Sequence, residues 1–156
     1  MAIVNLKSTV FGVTGVAGYT APNGSARDGR IHRVAGRISN GAGDSNLSKY
    51  LICELPWSAI LLPPTAFMTT AWGFAQAVIG TDEDSDGLLD VARATGGATG
   101  NVPITIFGAK WNLPFWGQMG LASAPLKGFA KLYAVAEADA TGAGTLDFDI
   151  HYALYL

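Results

Sequence analysis

Leu146-Asp147-Phe148-Asp149-Ile150-His151-Tyr152-Ala153-Leu154-Tyr155 alternates residue type at every step near the chain's end. Leu146, Phe148, Ile150, Tyr152 and Leu154 form one set; Asp147, Asp149, His151, Ala153 and Tyr155 form the other. Side chains on a strand point to opposite faces with period two, so the first set is expected in a core. The second faces solvent or a neighbouring molecule. An earlier strand-like run, Lys131-Leu132-Tyr133-Ala134-Val135, is separated from it by the turn-rich Asp139-Ala140-Thr141-Gly142-Ala143-Gly144. The two runs read as a hairpin, which implies an antiparallel β domain.

Short runs of the same kind recur upstream. Arg30 to Ser39 reads as a strand, then Asn40 to Asn46 as a loop. Leu47 to Leu55 is strand-like up to Pro56, and Val102 to Phe107 is another such run. Thr65 to Gly80 reads as one central strand, with Met68, Thr70, Trp72, Phe74, Gln76 and Val78 on one face. Gly87 to Ala94 is expected to form a short helix after an acidic loop. Lys110 to Leu121 is an irregular aromatic stretch with room for one helical turn. The fold class that follows is all-β: an antiparallel β-sandwich, jelly-roll-like, with one short helix and long Gly-rich loops. Residues 1–30, punctuated by Gly12, Gly15, Gly18, Gly24 and Gly29, are expected to be an arm or edge strand. Residues 31–156 would be the sandwich domain.

The chain's 156 residues suit a single core. Apolar residues make up 49% and charged residues 14%, below the usual quarter. That composition fits a chain packed against copies of itself or other proteins. Lys and Arg number 10 against 12 Asp and Glu, so neither a nucleic-acid-binding stripe nor an acidic tail is present. Arg27, Arg30, His32, Arg33 and Arg37 form a basic cluster without interleaved aromatics. It suits pairing with acidic groups on a partner subunit equally well. Leu55 to Thr81 carries no charge, yet Pro63-Pro64 divides it, so a membrane-spanning helix is not expected. The N-terminus lacks a charged segment followed by a long apolar run, and no secretory signal is expected. Cys53 is the sole cysteine and reads as a buried small hydrophobe.

No catalytic constellation assembles. His32 and His151 are the only histidines, no Ser lies in G-x-S-x-G, and Gly12 to Gly18 lacks phosphate-loop spacing. A non-enzymatic role without a cofactor is therefore expected. The one cofactor candidate is calcium. Asp82, Asp84, Asp86 and Asp90 surround Gly87 in the spacing of the first part of a calcium loop. Arg93 stands where the closing bidentate Glu would be. A solvated acidic loop capping a helix reads the same residues without metal. Aromatics beside prolines, Trp57, Trp111, Phe115 and Trp116, are candidates for an interface, as are Asp147, Asp149, His151 and Tyr155. The three tryptophans among them could instead line a sugar-binding groove.

Several features occur together in one order. They are a strand ending in Leu55-Pro56, an apolar strand ending in Val78-Ile79-Gly80-Thr81, and the loop Asp84-Ser85-Asp86-Gly87-Leu88-Leu89-Asp90. The runs flanking Gly142-Ala143-Gly144 complete the set. From about Leu47 to Leu156 the chain thus resembles small structural proteins of tailed-phage virions, the head decoration or cement type. The resemblance implies a jelly-roll-like fold, assembly as a homotrimer or dimer, and binding to the phage major capsid protein. It places the chain on the outer capsid surface of the virion after synthesis in the host cytoplasm. A carbohydrate-binding β-sandwich module, or a neck or tail component of the same virion, is the alternative.

Overall fold

The computed structural model describes residues 5–7, 31–93, 100–103, 110, 112–126 and 128–154. The first five strands are β1 (Asn5–Lys7), β2 (Ile31–Asn40), β3 (Lys49–Pro56), β4 (Ala59–Leu61) and β5 (Ala66–Thr70). Then follow β6 (Gln76–Gly80), β7 (Leu89–Ala92), β8 (Gly100–Pro103), a short helix α1 (Phe115–Gln118), β9 (Phe129–Val135) and β10 (Gly144–Leu154).

These strands build two sheets, ordered β1-β3-β9-β6-β7 and β2-β10-β5-β8, with β4 added to β10. With β1 and β4 set aside, the eight remaining strands run 1-8-3-6 in one sheet and 2-7-4-5 in the other. First and last strands lie side by side, and every later pair nests inside them. That is a jelly roll, the double Greek key of eight strands. Among the described residues pairing is antiparallel except where Asn5–Lys7 runs parallel to Lys49–Leu51. Those three residues are the described part of the expected arm.

The core forms between the sheets. Ile38, Phe67, Leu146, Phe148, Ile150 and Tyr152 enter it from one side; Tyr50, Ile52, Leu55, Ile79 and Leu132 enter from the other. Tyr50, Trp72 and Phe74 pack edge-on or tilted, with centroids 5.3 to 6.0 Å apart. Edge contacts of this kind add about 0.5–1.5 kcal/mol per pair beyond simple burial. Cys53 is buried there too, and desolvation pushes its thiol far above the usual range. Among the described residues no helix is long and apolar enough to cross a membrane.

Three sequence expectations are corrected. First, the runs expected as a closing hairpin do not pair. β9 lies between β3 and β6, whereas β10 lies between β2 and β5. Residues 136–143 carry the chain from one sheet to the other, held by Leu47 N–H to Ala136 O (2.8 Å) and Ala140 N–H to Asp44 O (2.9 Å). Alternation reports the buried face, and both runs bury theirs in the same core from opposite sheets. Second, within the helix expected over Gly87 to Ala94, Leu89–Ala92 forms β7 instead; Ala94 lies outside the described residues. Leu89 and Val91 turn partly inward while Asp90 and Ala92 are exposed, in register with Gln76–Ile79. Third, Thr65 to Gly80 is two strands in different sheets. Ala71, at φ 48°, starts the crossover, and Trp72 drops into the core with its indole N–H on Gln76 O at 3.2 Å.

The Pro63-Pro64 turn interrupts β10's pairing between β4 and β5, and Thr65 repairs the gap. Its buried hydroxyl donates to His151 O and accepts from His151 N–H, both at 3.0 Å. The Gln118 side chain does the same for Leu61, accepting from its N–H at 3.0 Å and donating to its carbonyl at 3.2 Å. Thr65→Val keeps the shape but strands a buried N–H. It is expected to lower unfolding free energy by about 1–2 kcal/mol in urea melts, with Thr65→Ser restoring most of it. Full stability in Thr65→Val would contradict this.

Candidate interaction surface

The outward face of the β2-β10-β5 sheet carries the most organised group of exposed charges. Along β2 the residues alternate: Arg33, Ala35, Arg37 and Ser39 are exposed, with Ile38 and Asn40 buried. Along β10 Asp147, Asp149 and His151 occupy the outward positions. Antiparallel register sets Asp147 opposite Arg37 and Asp149 opposite Ala35. Each carboxylate then meets an arginine in a two-point fork. Arg33 Nε and Nη2 reach the two oxygens of Asp149 at 2.8 Å each, and Arg37 holds Asp147 in the same way. His151 Nε2 lies 3.0 Å from the same Asp149 carboxylate.

The electrostatic consequences follow from these contacts. The Arg33 fork holds the Asp149 carboxyl below its ordinary range, with His151 adding to the effect. Both guanidiniums are shifted up by their carboxylate partners. Solvent reaches all four groups, so the pairs contribute little to stability and are screened by salt. They do fix the pattern of the face: a positive stripe on β2 beside a negative stripe on β10. Between the stripes and β5 lies a shallow groove of about 320 Å³, lined by Ala35, Gly36, Ala66, Met68 and the two aspartates.

The remaining expected site residues are dispersed. Trp57 and Phe115 are core residues, stacked on each other at 5.4 Å, and Trp116 is half-buried beside them. The burial of Trp57 and Phe115 leaves them little surface to offer a partner, whereas Trp116 keeps some: α1 folds across the end of β3, with Trp116 N–H on Trp57 O. Trp111 and Tyr155 lie outside the described residues. Arg33 and Arg37, read earlier only as part of a basic cluster, pair within the chain. Their even spacing on a strand puts them on one face, a signal present in the sequence. Their partner strand was not.

The acidic loop joins β6 to β7. Thr81 N–H bonds to Asp84 O, the Thr81 hydroxyl accepts from Glu83 and Asp84 N–H, and Leu88 N–H returns to Ile79 O. Asp82 pairs with Lys49 at 3.0 Å, and Asp90 accepts from Gln76 at 2.9 Å. Asp84 and Asp86 are brought together. Among the described residues no three His, Cys, Asp or Glu side chains converge as a metal cluster. The Asp86 carboxyl raises Asp84 above the usual carboxylate range, chiefly through their shared hydrogen bond. A raised folded value means protonation favours the fold, and stability falls as pH rises through it. Asp86→Asn is therefore expected to raise Tm at pH 7 by about 1 °C, with the gain shrinking towards pH 3 as the raised Asp84 carboxyl takes up its proton. Calorimetry at the two pH values checks it, and an equal gain at both would contradict it.

No family model matches the chain, and no curated protein does. Solved structures do. A chain from the capsid of Ralstonia phage GP4 matches with a TM-score of 0.58 at 13% identity, covering 91% of this chain and 94% of that one. A chain from the capsid asymmetric unit of cyanophage Pam1 matches with a TM-score of 0.55 at 16% identity, covering 91% of this chain and 96% of that one. At such identities the likeness is one of architecture: this jelly roll has the fold of chains found in two phage capsids.

Proposed function

We propose that this chain is a non-enzymatic structural protein of a tailed-phage virion, which decorates or cements the capsid by bridging major capsid protein subunits on the outer surface. The observation that carries the reading is the end-to-end match of fold. The match spans 91% of this chain and at least 94% of each capsid chain. The matched capsid chains are therefore about as short as this one. That supports a small accessory subunit over a module cut from a large lattice-forming protein.

The mechanism is area multiplied by symmetry. A single modest interface between a small sandwich and its neighbours contributes little alone. Repeated over a closed lattice, and with each copy touching more than one subunit, it resists separation of the shell by avidity. A rigid jelly roll suits this work, because its faces are fixed by a shared core and need no ordering on binding. The carbohydrate-binding alternative has one fewer aromatic to draw on, because Trp57 is in the core.

Quantitative mass spectrometry of purified virions tests the proposal. A decorating protein is expected in hundreds of copies per particle, as symmetry of a capsid lattice demands, and a neck or tail part in about a dozen or fewer. Absence from mature virions, or a copy number of about a dozen, would overturn the decorating role.

A further inference from the structure

We infer that the striped face of β2, β10 and β5 is a self-association surface, on which two copies of this chain pack sheet against sheet around a two-fold axis. This goes beyond the virion reading and does not depend on it.

The argument is one of charge pattern. Arg33 and Arg37 form the positive stripe, and Asp147 and Asp149 form the negative stripe one strand away. A two-fold axis running along the strands, between β2 and β10, exchanges the stripes. Each copy's arginines then lie over the other copy's aspartates, at the same strand levels as their own partners. Arg37 faces the other copy's equivalent of Asp147 directly. Such a contact is isologous and closes on itself.

The groove supplies the steric half. It is lined by Ala35, Gly36, Ala66 and Met68, by the carboxylates of Asp147 and Asp149, and by the chain's own Arg33. An apolar floor beside carboxylates is the shape of an arginine side chain, with an aliphatic stem and a cationic fork. The two-fold operation lays the second copy's Arg33 and Arg37 across this groove. A carboxylate offers about four lone-pair sites; the in-chain fork uses two, and His151 takes a third at Asp149, so each aspartate can still accept an N–H from a second guanidinium. In the contact the exposed pairs become a desolvated network, where charge complementarity sets partner choice and register.

Size sets the strength. With the axis between β2 and β10, these two strands of each copy overlap, and ten residues by two strands cover roughly 33 Å by 10 Å in plan. That is well below the ~800 Å² per partner of a standard interface. Association is therefore expected at high concentration or when copies are held close together.

The test exchanges the stripes. A variant carrying Arg33→Asp, Arg37→Asp, Asp147→Arg and Asp149→Arg keeps both in-chain pairs and remains complementary to itself. Against wild type it places like charge over like. In sedimentation experiments at high concentration, wild type and the swapped variant are each expected to dimerise. In a mixture of differently tagged proteins they are expected not to exchange. A second variant, Ala35→Trp, fills the groove while sparing the charges and should weaken the wild-type dimer by about tenfold or more. A wild type that stays monomeric would overturn the inference, as would free mixing with the swapped variant or a trimer indifferent to Ala35→Trp.

Discussion

Gly73→Ala is expected to lower unfolding free energy by about 3 kcal/mol or more, near the top of what a single added methyl does. A Cβ at Gly73 would lie 2.0 Å from the Gly142 carbonyl oxygen and 2.2 Å from Asn40 Nδ2. Neither atom can step aside cheaply. Asn40 Nδ2 donates to Gly142 O at 2.8 Å, and Asn40 Oδ1 accepts from Gly73 N–H at 3.0 Å. Gly73 O in turn receives the N–H and hydroxyl of Thr141. Gly73 is thus the point where three connections meet: the end of β2, the crossover from β5 to β6, and the approach to β10. Displacing it loosens all three and unseats the neighbouring Trp72. Urea melts should show a midpoint drop, with Gly43→Ala as the control, because nothing lies within 4 Å of a Cβ there. Equal behaviour of the two variants would contradict the close-packed junction.

Asp44→Ala is the second large effect, at about 3 kcal/mol. Asp44 is buried in the loop after β2, where its carboxylate accepts from the Tyr50 hydroxyl and from Gly41 N–H at 2.8 Å. Removing the carboxylate takes the acceptor from the buried Tyr50 hydroxyl, at a desolvation cost of about 1–3 kcal/mol, and frees the half-buried Gly41 N–H, which unpins the loop. Tyr50→Phe should cost less, because Asp44 retains Gly41. The same geometry sets a pH limit. Burial first, and then Asp44, push the Tyr50 phenol well above its ordinary value. A raised folded value means this stability is complete below about pH 10, the unfolded phenol's range, and is lost as pH climbs through the folded one. Alkaline melts should therefore show a steeper loss in wild type than in Tyr50→Phe. Parallel curves would count against the Asp44–Tyr50 bond.

The face of each long strand was legible in the sequence because it follows from local chemistry. Leu146 to Leu154 declared its buried side by alternation, and Ile31 to Asn40 and Lys49 to Pro56 appear within a residue or two of their expected limits. Partnership was not legible. β9 and β10 are adjacent in sequence with a turn between them, yet they sit in opposite sheets. Alternation carries no information about which strand lies alongside. The break at Ala71 to Ala75 was hidden for a related reason. A non-glycine residue at positive φ and a tryptophan turned into the core give no local signal of a strand's end. The β7 segment has a helix-like composition, and only pairing with β6 makes it a strand.

The same division runs through the candidate surface. Asp147, Asp149 and His151 were legible as outward residues from the pattern alone. That Arg33 and Arg37 complete them required knowing that the first long strand lies beside the last. The burial of Trp57 and Phe115 was not legible, because turn-rich, proline-flanked aromatics look exposed. The packing of α1 over the end of β3 buries them instead.

A cryo-EM reconstruction of the purified virions to which the proposal assigns this chain addresses the central claim most directly. The account predicts density for a two-sheet jelly roll on the outer capsid surface, repeated with the lattice and touching more than one major capsid protein subunit. A shell whose outer surface carries no such density, or the jelly roll found solely at the neck or tail, would contradict it.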